Sequence, residues 1–425
     1  MNKLKPHFEK LPNGLTLVLV DLPGFHSLTN FLVIRSGSRY EDKKNNGVAH
    51  FLEHMVFKGT TKYPDKLDIA QSIEGVGGYF NAWTSNDHTA YWNTVPLAAW
   101  QRGIEVPFEL AFNAILRKED LEHERGVIIE EIRRMNDDPS SQVEDQLGEI
   151  LFPNHPLGLS VIGTEERIEK MTIEQFKQYR STYYHPAQAL FICVGNIGNR
   201  DIKAEVVKLT KDLKPKAVTK PQFFTGVSKK GLKLLNKKTD QTHFMLALSD
   251  PEWASGNKEA YVGVVMNAIL GRGMSSRLFL NIREKKGLAY SIHSSFEDFE
   301  ETGAIVIDGG VNTKKIEQTL AAIDEELASL RTDLVGEEEL AKAKALIVGS
   351  FEMSADRPID LARWYGTGRL LGDDTSIDEA AKAVQAVTSK QILTLAKRTL
   401  IKERQVLSVI GPYENDRIFK KFLGI

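Results

Sequence analysis

The 425-residue chain has a single cysteine, Cys193. One thiol excludes an internal disulfide framework and fits a reducing compartment. It lies in Leu190-Phe191-Ile192-Cys193-Val194, which reads as a buried strand, so the thiol is core filler rather than a nucleophile. No apolar run approaches the roughly 20 residues of a membrane-spanning helix. The opening stretch MNKLKPHFEKLPNG lacks the apolar core of a secretory signal. Excess charge of either sign is also missing: the formal net charge is −2, which leaves no basic footprint for nucleic acid or an anionic membrane. No G-x-x-x-x-G-K-[ST] loop occurs, and Gly271-Arg272-Gly273 reaches Ser276 where a dinucleotide fingerprint needs glycine or alanine. What these absences leave is a soluble cytoplasmic protein with no nucleic acid, nucleotide or membrane partner.

The length exceeds one ordinary core and implies two domains. A stretch rich in lysine and proline, from Leu213-Lys214-Pro215-Lys216 to Lys220-Pro221, has the composition of an exposed linker and lies near the midpoint. The chain also matches itself across that point. Thr172, Gln175 and Gly195 recur as Thr388, Gln391 and Gly411, all offset by 216, and each Thr-to-Gln pair reads as the start of a capped helix. A second match, offset by 219, pairs Leu121 with Leu340 and Pro139 with Pro358. Together they indicate duplication. The expected domains are 1–213 and 232–425, joined by a linker at 214–231. In the first half, residues 15–20 and 29–35 read as strands and 78–95 as a hairpin turning at Asn86-Asp87. The segments around His50 and over 65–74 read as helices. Strands adjacent in sequence, without β-α-β alternation, give an α+β class. Each domain is then a mainly antiparallel sheet with helices on one face.

Within the first half stands His50-Phe51-Leu52-Glu53-His54. On a helix, His50 and His54 project from one face and can share a metal ion, with Glu53 alongside to accept a proton from water. This H-x-x-E-H order is the inverted form of the commoner H-E-x-x-H zinc-peptidase motif. Two histidines leave a third ligand to be found. A helical stretch over 119–135 carries Glu124 and Glu131 two turns apart on one face, with Glu130 adjacent; on these residues alone a solvated acidic face is the plainer reading.

The H-x-x-E-H run, followed 77 residues later by Glu131 within E-R-x-V-I-x-x-E, resembles the pitrilysin family of metallopeptidases. The nearest branch is that of the mitochondrial processing peptidase β-subunit and its bacterial relatives. The resemblance implies zinc held by His50, His54 and Glu131, with Glu53 as general base and Glu124 orienting the site. Gly77-Gly78-Tyr79-Phe80-Asn81-Ala82-Trp83-Thr84 resembles the family's substrate-binding edge strand, which would hold an extended peptide by backbone pairing. Phe51, Asn81 and Ala82 are its implied substrate-binding residues. Arg283 and Tyr290, spaced as the family's Arg/Tyr pair, would contact substrate backbone and the developing oxyanion. The second half has no counterpart to the metal triad, since the 219 offset places Ser350 opposite Glu131. By resemblance the chain is a zinc endopeptidase that closes like a clamshell on extended or unfolded peptides, as a homodimer. A non-catalytic scaffold subunit and the metal subunit of an obligate heterodimer are the alternatives.

Overall fold

The computed structural model describes residues 6–425. Its first sheet contains β1 (His7–Lys10), β2 (Thr16–Asp21), β3 (Ser27–Ile34), β4 (Tyr79–Thr84), β5 (Thr89–Pro96) and β6 (Ala189–Gly195), in the order β1-β2-β6-β3-β5-β4. The second contains β7 (Gly231–Asn236), β8 (Gln241–Asp250), β9 (Ala289–Asp298), β10 (Gly303–Asn312) and β11 (Val406–Gly411), in the order β7-β11-β8-β10-β9. Removing β1 makes the two orders identical. In each, one parallel pairing (β2 with β6, β7 with β11) interrupts an otherwise antiparallel ladder. The fold is α+β with two homologous sheets.

The internal matches in sequence are the same places in the fold. Helices Ile173–Tyr183 and Ser389–Thr399 are each opened by a capping box, Thr172 with Gln175 and Thr388 with Gln391. Each precedes an interior strand of its sheet. That strand, β6 or β11, is buried at every position, as a strand covered on both faces must be. Residues 213–230 carry no helix or strand. Cys193 is buried within β6, and burial pushes its thiol up to about 12, so it stays protonated and inert.

The first five helices are α1 (Val48–Val56), α2 (Lys66–Glu74), α3 (Trp100–Asn113), α4 (Lys118–Asp137) and α5 (Pro139–Leu151). They begin where local chemistry starts helices: the Asp65 carboxylate accepts the Leu67 amide before α2, and Asp138 caps α5 with Pro139 following. The compact units are not contiguous in sequence. One consists of residues up to Arg133, Leu159–Gln222 and Ser354–Asp374; the other of Arg134–Gly158, Phe223–Met353 and Thr375–Ile425. Each unit thus takes a helix from the opposite half of the chain. Pro139 and Pro358, paired by the 219 offset, open these two exchanged helices, α5 and Pro358–Leu370.

The main helical layer covers one face of each sheet, and the exchanged helix lies on the other. In the first unit α3 packs on the face of Asn30, Asn93 and Val95, so closely that a Cβ at Gly103 would stand 2.5 Å from Val95. Gly366 of the exchanged helix meets the opposite face, where a Cβ would stand 3.2 Å from Phe31 and 3.3 Å from Ile192. In the second unit α5 sets Leu147 and Leu151 against Ala247, Ala304, Val306 and Val406, while Leu246, Ile305, Ile307 and Leu407 face the other core.

Candidate metal centre

Helix α1 follows β3 and packs against β4, β5 and the helix Ile173–Tyr183, with Val48, Ala49, Phe51, Leu52, Met55 and Val56 all buried. That apolar face leaves His50, Glu53 and His54 turned the other way. The two imidazole centroids are 4.8 Å apart. Glu131 reaches them from α4, whose Leu121, Glu124, Ile128 and Ile132 are buried at a near-helical period. Ligand atoms of His50, His54 and Glu131 all lie within 4.8 Å of one another, and they form the one such cluster among the described residues. His54 Nε2 stands 3.7 Å from a Glu131 oxygen. Ligands of a tetrahedral zinc stand about 3.4 Å from each other, given bonds of about 2.1 Å.

The surrounding groups set tautomer and charge. The Glu124 carboxylate lies 3.0 Å from His54 Nδ1, which leaves Nε2 toward Glu131. The other Glu124 oxygen is paired with the Lys58 ammonium. Burial raises the Glu124 pKa, but the bonds from His54 and Lys58 outweigh it and hold the carboxyl at about 2. Such an outer carboxylate fixes a ligating imidazole and strengthens it as a donor. Burial works against a charged His54, yet Glu124, Glu53 and Glu131 together raise its pKa. For His50 burial, then the neighbouring His54, lowers the pKa to about 3, so the ring is neutral and free to donate a lone pair. Its Nδ1 is buried without a hydrogen-bond partner. These residues fit a zinc ion: two imidazoles, one carboxylate and a fixed tautomer, with the fourth position of a catalytic site left to water or substrate.

Glu53 is not among the three ligands. Its carboxylate accepts a 2.7 Å hydrogen bond from the Thr84 hydroxyl, at the end of β4. Burial raises its pKa; Thr84 and His54 pull it down and Glu131 pushes it up. The net shift is upward, so this carboxyl holds a proton more readily than a solvated glutamate does. β4 itself is the outer strand of its sheet, with one edge unpaired among the described residues. On it Asn81 is exposed, and its side-chain oxygen accepts the neighbouring Ala82 amide at 2.8 Å.

Residues 17–165 match the family model described as insulinase, peptidase family M16, and residues 170–347 match the one described as the peptidase M16 inactive domain. A Bacillus subtilis protein described as an uncharacterized zinc protease is 34% identical over 409 residues, covering 95% of this chain and 97% of its own. The chain belongs to the pitrilysin family, peptidase family M16. A Streptomyces coelicolor member, also described as an uncharacterized zinc protease, is 30% identical over 417 residues, 95% of this chain and 89% of its own. The fold matches a protease from Helicobacter pylori at a TM-score of 0.91 and 22% identity, covering 96% of this chain and all of that one (100%).

The second unit has no counterpart of the His50, His54 and Glu131 cluster among the described residues. On the helix Lys258–Leu270, which follows β8 as α1 follows β3, Asn267 accepts a 2.6 Å hydrogen bond from Ser294 of the outer strand β9. Like Glu53 with Thr84, Asn267 thus joins its helix to the outer strand of its sheet, through an amide instead of a carboxylate. Ser350, opposite Glu131 by offset, is bonded to Arg272 at 3.2 Å. Arg283 and Tyr290 also belong to this unit. Arg283 lies in the π-helical turn Leu278–Lys285, its guanidinium 4.8 Å over the Phe279 ring, and Tyr290 lies on β9, 61% exposed. Between them Gly287 has φ +58, the left-handed residue that ends the helix.

One expected residue is misplaced. Phe51 does not face a substrate: it is fully buried, its ring 4.9 Å from that of Phe176. One step along a helix turns the side chain by about 100°, which carries Phe51 from the histidine face into the core. Thr84 and Lys58 were not singled out in the sequence. Thr84 follows Asn81-Ala82 on an alternating strand, and that spacing was the available signal; Lys58, beyond the end of α1, had none.

Proposed function

We propose that this M16 member is a zinc-dependent endopeptidase. The observation that carries the reading is the convergence of His50, His54 and Glu131 within 4.8 Å, with Glu53 beside them but held by Thr84. Zinc bound there would supply Lewis-acid polarisation of the scissile carbonyl and of water. Glu53 takes the proton from the attacking water and returns it to the leaving amine. Glu124 keeps His54 in one tautomer. The unpaired edge of β4, including Asn81 and Ala82, pairs with the backbone of an extended peptide, so unfolded segments are the substrate class. Arg283 and Tyr290 meet substrate backbone and the oxyanion.

The test is direct. The purified chain should contain one zinc per chain and cleave a quenched unstructured peptide. Chelation should remove both, and zinc should restore them. A zinc-loaded chain that cleaves none of a diverse peptide library would favour a scaffold subunit instead.

We also propose that the working form is a homodimer in which two chains complement each other. Mixing a Glu131→Ala chain with an Arg283→Ala chain, each inactive alone, should recover about a quarter or more of the activity if the sites are shared between chains. No recovery in verified mixed dimers would count against that arrangement.

A further inference from the structure

Helix α1 is only nine residues long, and His50 sits in its first turn. A helix this short is marginal by itself, and its first turn frays unless the free amides are held. Its N-cap is Gly47, with φ +94. No capping side chain can be accommodated there, because a Cβ would stand 2.7 Å from the Ile162 carbonyl oxygen. A serine or aspartate cap is therefore excluded by the close approach of the neighbouring loop.

The missing cap comes from outside the helix. Glu41, 4% exposed, lies in the loop after β3. One of its oxygens accepts the Ala49 amide at 2.7 Å. The other accepts the Gly47 amide at 2.8 Å and the Asn46 side-chain amide at 2.9 Å. Asn46 in turn donates to the Ser160 carbonyl at 2.8 Å, which ties the cap to the same loop that crowds Gly47. Burial raises the Glu41 pKa against the pull of these three donors, and because every one of these partners is an N–H donor the group meets them as a carboxylate. A buried acid is an unfavourable way to fill space, so its place is explained by what it holds.

We propose that Glu41 is a positioning residue of the metal site: by holding the Gly47 and Ala49 amides it fixes the first turn of α1, and with it the His50 ring. This rests on His50 being a zinc ligand. Glu41→Gln tests it, since the amide matches the carboxyl in shape but must turn an N–H toward at least one of the three donors.

Two measurements separate the proposal from the reading beneath it. In chelator-treated protein, amide hydrogen exchange over residues 47–56 should quicken by about tenfold in Glu41→Gln, with exchange elsewhere unchanged. Zinc affinity by chelator competition should fall by about 10- to 100-fold, the scale for groups that orient metal ligands. The visible absorption of the cobalt-substituted variant should shift from that of the wild type, which a cap of purely structural value would not cause. Asn46→Ala, which keeps the carboxylate and removes one donor, should move each readout the same way by less, and serves if Glu41→Gln does not fold. Affinity within twofold of wild type, with an unchanged cobalt spectrum, would overturn the proposal even if exchange quickened. A wild-type chain that binds no zinc would sink the metal reading itself; the exchange result would still show whether Glu41 anchors α1, and unchanged exchange would overturn that too.

Discussion

Glu53→Gln should lower kcat for peptide hydrolysis by about a thousandfold, within the range for losing a general base, while zinc stays bound. Glu53 points away from the core beside His54 but is not one of the three converging ligands. Glutamine keeps its volume and can still accept the Thr84 hydroxyl, which donates at 2.7 Å. It cannot accept the proton of the attacking water. Activity and metal content should therefore separate in this variant, whereas Glu131→Ala should lose both together. Thr84→Val gives an internal scale, because it leaves the base in place and removes the group that aims it. A hydrogen bond to a charged group is worth about 1.5–3 kcal/mol, so kcat should drop roughly 10- to 100-fold with KM little changed. The measurements are steady-state rates on one quenched peptide and metal analysis of each variant. If Glu53→Gln keeps more than a tenth of wild-type kcat at full zinc, Glu53 is not the base.

The candidate metal cluster of His50, His54 and Glu131 has a local part that is legible in the chain, because it is built from helical spacing. His50 and His54 are four apart, and Glu124 and Glu131 are seven apart, so one period places each pair on one face. What joins the two faces is tertiary. The Glu124–His54 bond spans 70 residues, and only the family likeness, not the local pattern, brought α4 to α1. Glu41 escaped for a related reason. Cap signals are sought at the residue just before a helix, and there stands Gly47, where a side chain would collide with Ile162 and Gly163 from far along the chain. The sheets were legible as alternating strands, and their duplication as matched caps and prolines. Pro358 marked a helix start in the right register, yet nothing local states which sheet that helix covers. The buried runs of β6 and β11 held the only clue, since a strand apolar on every side needs a layer on both faces.

That exchange makes a strong prediction about dissecting the chain. A fragment of residues 1–231 contains every expected zinc ligand but should not fold to a cooperative, zinc-binding unit. It lacks Pro358–Leu370, whose Leu361, Ala362, Tyr365 and Leu370 are buried. That helix also sets Gly366 against Phe31 and Ile192, and lays Arg363 over the Trp83 ring at 4.3 Å. Trp83 lies on β4, between Ala82 and Thr84, so the strand next to the site loses its backing as well. Burying a large apolar side chain contributes about 1.5–3 kcal/mol, so the helix supplies roughly 5–10 kcal/mol. That is comparable with the whole stability of a typical domain, about 5–15 kcal/mol. The fragment 232–425 is deprived in the same way of α5, with Val143, Leu147 and Leu151. Helices supplied as separate short peptides would not form stably, and neither fragment contains the helix that its own sheet needs. Produced together, each fragment brings the other's missing helix, so the pair should assemble and regain zinc binding where each alone aggregates. Near-ultraviolet circular dichroism and zinc content of the separate and joint preparations decide it. A soluble 1–231 fragment that melts cooperatively near the temperature of the full chain would show that the exchanged helix is dispensable.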